Sequence, residues 1–148
     1  NSLIQKLLCL HQQDLFFVDL IQAGDYAQAF AIEQKISPVD EDIAAFELSY
    51  LLLEWVGNLA QENQFERALE TSARIASDYN RDIALKAIAA AMAEAGQYEQ
   101  AIELTNQIDA SDQKIDALNS IAIALIKSDQ IDRGLTVLDQ AFAVEQGS

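Results

Sequence analysis

The residues with the greatest chemical potential in this 148-residue chain are few and badly placed for chemistry. Cys9 and His11, the only cysteine and the only histidine, stand two positions apart. A zinc-type site needs three or four converging ligands, and on a helix this spacing points the two side chains apart. A lone thiol forms no intrachain disulfide. Twenty-four carboxylates could in principle supply a general acid and base. Most of them, however, fall on faces that the hydrophobic pattern predicts to be exposed. No glycine loop of the phosphate-binding kind occurs, and His11 has no nucleophile motif around it. The expectation is a non-enzymatic protein with no catalytic residue, no cofactor and no metal.

Composition narrows the class. Apolar residues make up 51% of the chain, which is neither a disordered nor a membrane composition. Charges interrupt every apolar run before the ~20 residues a bilayer crossing needs, so no membrane insertion is expected. The opening "NSLIQKLLCLHQQD" lacks a basic start and a cleavage site. That favours the cytoplasm, unless an address lies elsewhere on a parent chain. The start at Asn1 and the closing "QGS" predict a segment of a longer protein. The net charge is −15, with 13 acids and 4 bases in residues 1–80 and 11 acids and 5 bases in 81–148. Such a surface repels phosphate backbones, so nucleic acid is excluded as a partner. It suits a basic protein partner, and it also serves solubility alone.

The elements that must carry any site are written in a repeat. "IQAGDYAQAFAI", "AQENQFERALET", "AEAGQYEQAIEL" and "IKSDQIDRGLTV" align on Tyr26, Phe65, Tyr98 and Ile131, at spacings of 39, 33 and 33. Ala84, Leu85, Ile88, Ala89, Ala91 and Gln97 recur identically 33 residues later. A period of this size marks stacked units that cannot bury an apolar face alone. Each unit reads as two amphipathic helices. First helices are predicted near 2–23, 38–62, 81–95 and 112–128, and second helices near 25–36, 64–76, 97–109 and 130–145. Gly24 and Gly96 suit the left-handed end of a first helix. Tyr26, Phe65 and Tyr98 can wedge between the two helices, and Ala29, Ala68 and Ala101 let the backbones approach. Ser37-Pro38, Asn80 and Ser111 are the expected helix starts.

The pattern resembles the tetratricopeptide repeat, a helix–turn–helix unit of about 34 residues. Ala89, Gly96, Tyr98 and Ala101 carry the resemblance, Ala122 and Ile131 echo it, and Gly24, Tyr26, Ala29, Phe65 and Ala68 repeat the turn. It covers residues 11–145 and departs in four respects. The period is one short, the closing proline is missing, Phe17 and Val56 are bulky, and Asn63 and Asp129 replace the turn glycine. The resemblance implies an all-α fold: a right-handed α-α superhelix, or solenoid, of about four repeats (2–36, 38–76, 81–109 and 112–145) in a single domain spanning 1–148.

The resemblance further implies a concave groove along the first helices. Carried across, its lining is Asp14, Val18, Ile21 and Gln22, then Leu53, Glu54, Gly57 and Ala60. Lys86, Ala90 and Ala93 follow, and then Asn119, Ile123, Ile126 and Lys127. Ala90 and Ser120 stand where a two-carboxylate clamp would need asparagine, so that mode is not expected. The lining is mainly apolar with an acidic rim, which favours an amphipathic helix or peptide of a protein partner. "ELSYLLLEWVGNL" reads chiefly as core around Leu52, Trp55, Val56 and Leu59. Leu135, Leu138, Phe142 and Val144 give the last helix an uncovered apolar stripe. Neighbouring repeats would cover it, or self-association or a partner would. The expected function is an interaction scaffold. The alternatives are a ligand- or peptide-sensing regulatory module and an accessory domain of a larger enzyme.

Overall fold

The computed structural model describes residues 52–147, which fold as six helices with no strand among them. We number them α1 (52–61), α2 (Phe65–Ser72), α3 (Asp78–Glu94), α4 (Tyr98–Thr105), α5 (Ser111–Lys127) and α6 (Ile131–Gly147). Residues from Leu52 onward belong to one compact unit. The expectations placed on the first repeat, on Cys9 and His11 and on Ser37-Pro38 lie outside the described residues.

One turn is built three times, 33 residues apart. The N–H groups of Gln64, Gln97 and Gln130 donate to the carbonyls of Leu59, Met92 and Leu125 at 2.8–2.9 Å. The preceding N–H groups, of Asn63, Gly96 and Asp129, donate to Ala60, Ala93 and Ile126 at 3.0 Å. This paired pattern closes a helix through one left-handed residue. Gly96 has φ +86°, and Asn63 and Asp129 adopt φ +62° and +67°. Asparagine and aspartate tolerate this region better than other side chains, so loss of the glycine does not lose the turn.

The apolar stripes meet as the periodicity requires. α3 packs on α4 and α5 on α6 within a unit; α2 packs on α3, α3 on α5 and α4 on α5 between units. Val56, Ile88, Ala89, Ile121 and Ala122 are fully buried at the centre. Leu52, Trp55 and Leu59 join them, which makes the apolar "LLEWVGNL" run core on one face. Ala68 and Ala101 are buried as expected, and Gly134 takes the equivalent place in α6.

Several expectations are corrected. α2 and α4 end at Ser72 and Thr105, four residues short of the predicted ends at 76 and 109. Beyond them the chain tightens into i to i−3 hydrogen bonds, Ile75 to Ser72 and Ile108 to Thr105, both 3.1 Å. Ile75 and Ile108 are still buried, so apolar spacing continued where the α-helix did not. The Ser72 and Thr105 hydroxyls donate to the i−3 carbonyls of Leu69 and Ile102 at 2.7 and 2.6 Å. In α6 the equivalent residue is Leu138, which offers no such bond, and that helix runs two turns further.

Helix starts differ too. Ser77, not Asn80, caps α3: its hydroxyl accepts the Asn80 N–H at 3.3 Å. Ser111 is already inside α5, whose cap position is Ala110. There the buried Asp82 carboxylate accepts the Ala110 N–H at 3.0 Å, tying α3 to the start of α5. Tyr98 reaches into the following unit. It is half-buried, its hydroxyl hydrogen-bonds Ser128, and Arg133 lies 5.7 Å above its ring while pairing with Glu99. Phe65 is buried, whereas Ile131 is 50% exposed.

Candidate protein interface

The projected groove positions fall into rows at the repeat spacing. Leu53, Lys86 and Asn119 form one row, and all three are half-buried. Gly57, Ala90 and Ile123 form the next, with Gly57 and Ala90 half-buried and Ile123 51% exposed. Ala60 and Ala93 are buried in the core rather than lining a surface, while Ile126 in the same row is partly exposed. A Cβ built on Gly134 would lie 2.6 Å from Ile126 Cγ1, which places Ile126 against α6. Glu54 and Lys127 are exposed at the margins. Val18, Ile21 and Gln22, with Asp14, lie outside the described residues.

These rows lie on α1, α3 and α5. Gly57 sits inside a helix, where glycine costs roughly 0.5–1 kcal/mol relative to alanine. A Cβ there would meet no atom of the described residues within 4 Å. Among the described residues, packing therefore does not require a glycine at 57. Lys86 Nζ lies 3.9 Å from Asp116 Oδ2, joining α3 to α5 beside the row. Ile123 is the most exposed of the large apolar residues in these rows, and the Lys86–Asp116 pair joins the same two helices, α3 and α5.

Polar chemistry is concentrated instead where units join. The Tyr79 hydroxyl donates to Asp112 Oδ2 at 3.0 Å, and the Gln113 amide donates to the Tyr79 oxygen at 3.1 Å. The Tyr79 bond holds the Asp112 carboxyl below its ordinary value of 3.8. Sequence reasoning missed this link, although Tyr79 and Asp112 stand one repeat apart. A further depression of about 420 Å³, open to solvent, lies between α2 and α4, with Phe65, Met92 and Leu104 on its floor and Glu66 and Glu103 on its rim. Among the described residues no three His, Cys, Asp or Glu side chains converge as a metal site, and no helix is long and apolar enough to cross a membrane.

No protein-family model matches this chain, and neither a curated protein nor a solved structure is detectably similar to it. The case for function therefore rests on the surfaces themselves.

Proposed function

We infer that this chain is a tetratricopeptide-like interaction scaffold, a right-handed superhelical array whose first helices hold a helix or peptide of another protein. The carrying observation is the row Gly57, Ala90 and Ile123. It recurs at the repeat spacing, is half-buried or exposed in each described unit, and pairs missing side-chain volume with an exposed isoleucine. Burial of Ile123 and its surroundings would hold the partner, at about 25 cal/mol per Å² of apolar area before ordering costs. The acidic surface would speed encounter with a basic partner. The thrice-repeated turn and the packing of α3 on both α4 and α5 support the array.

The test is affinity capture from the native cell extract with wild type, Leu53→Asp and Ile123→Asp in parallel. Circular dichroism melts of each serve as the fold control. Proteins recovered by wild type and lost with both folded variants are ligands of this face. Recovery of the same proteins by all three sinks the assignment.

A further inference from the structure

The second surface is the flank of α6. Ile131, Leu135, Leu138 and Phe142 follow one another at spacings of four, three and four, the pattern that aligns a seam for a facing helix. Ile131 and Leu135 are each 50% exposed, Phe142 is 60% exposed and Leu138 is half-buried. At about 100° per residue, this seam lies roughly a quarter-turn from the inner face of Gly134, Val137 and Ala141. The preceding unit shows what such a flank accepts. The equivalent positions in α4 are Tyr98, Ile102 and Thr105, on a helix against which α5 packs. There Thr105 is buried and Tyr98 bonds Ser128 at the end of α5. A helix is thus the shape that fits.

Charge chooses among helices. Asp132 and Asp139 are exposed, seven residues apart, along the solvent edge of the seam. The one cation of α6, Arg133, lies on the other side of the helix and is engaged by Glu99 and Gln130. An antiparallel pairing of two copies through this seam would set acidic edge against acidic edge, on molecules that each carry −15. We propose that the Ile131–Leu135–Leu138–Phe142 seam of α6 docks an amphipathic helix of a different protein, with lysine or arginine facing Asp132 and Asp139. This surface is independent of the Gly57–Ala90–Ile123 row, and either assignment can fail without the other.

The probes are two fluorescein-labelled amphipathic peptides with the same leucine seam, one flanked by lysine and one by glutamate. Binding to the 148-residue chain is read by fluorescence anisotropy. The lysine peptide is expected to bind, and Leu135→Asp or Phe142→Asp should weaken it at least tenfold. Asp132→Asn with Asp139→Asn should weaken it several-fold and flatten its salt dependence. Gln140→Ala and Ile123→Asp should leave it unchanged. Both seam residues are exposed, so circular dichroism should show the variants folded. Equal binding of the two peptides, no binding of the lysine peptide, or loss with Ile123→Asp but not Leu135→Asp overturns the proposal. So does a wild-type dimer in sedimentation that Leu135→Asp dissociates, or a parent chain that covers the seam with its own helix and ignores the peptide.

Discussion

Glycine to alanine should have opposite signs at two helical positions of this protein. At Gly57 the added methyl meets no described atom within 4 Å, so only the helix-propensity gain remains, about 0.5–1 kcal/mol of stabilisation. At Gly134 the same methyl lies 2.6 Å from Ile126 Cγ1 and 3.0 Å from the Ala122 carbonyl oxygen. The carbonyl is backbone and Ile126 is β-branched, so relief requires α5 and α6 to move apart. Overpacking of this kind costs about 1–3 kcal/mol. Against a helix gain of about 1 kcal/mol, the net is a destabilisation of about 1 kcal/mol. Urea denaturation followed by far-ultraviolet circular dichroism resolves the resulting gap of about 2 kcal/mol. In a double-mutant cycle, Ile126→Ala should absorb much of the Gly134→Ala cost. Stabilisation by alanine at both positions, or additivity with Ile126→Ala, would refute the close-approach argument.

Other outcomes follow from the turns and the joints. Gly96→Val should destabilise by roughly 1–2 kcal/mol, because a β-branched residue is forced to φ +86°; an unaltered thermal melt contradicts this. Asp129→Gly should instead raise stability by up to about 1 kcal/mol by relieving a side chain at φ +67°. Asp82→Ala removes the acceptor for the Ala110 N–H and should cost about 1–3 kcal/mol by denaturant titration. Tyr79→Phe should raise the Asp112 pKa toward 3.8, which a carboxyl-carbon NMR titration reads directly. Because the folded pKa is depressed, the Tyr79 contribution is present above the unfolded value and fades as pH falls through the folded one. Wild type and Tyr79→Phe should therefore converge in stability in acid.

The repeat was legible because a stacked unit constrains the same positions every 33 residues: Ala89 and Ala122 must be small and buried, and each turn needs a residue able to enter the left-handed region. Asn63 and Asp129 looked like departures only because glycine is the commoner occupant of that conformation. Helix ends were less legible. Ile75 and Ile108 keep helical spacing while the backbone beneath them has tightened, and hydrophobic pattern alone does not separate the two. At the start of α3, Ser77, Asp78 and Asn80 are all capable caps, and the extended backbone at Ser77 decides the matter. The rows at the repeat spacing were readable, but not the close approach of Ile126 to Gly134, which depends on how closely two backbones approach. The joints between units were hidden because each partner is unremarkable alone.

Those joints bear on how the chain folds. The side-chain bonds between units connect residues 28, 30, 33 and 34 apart. Closing a loop of that length costs little more entropy than closing one of half the size, about 0.6 kcal/mol per doubling. Each unit can therefore engage its neighbour without waiting for a distant part of the chain, the condition under which folding is fast. Contacts this local would let assembly spread from any of the three described turns. Translation from the N-terminus would let each completed unit template the next.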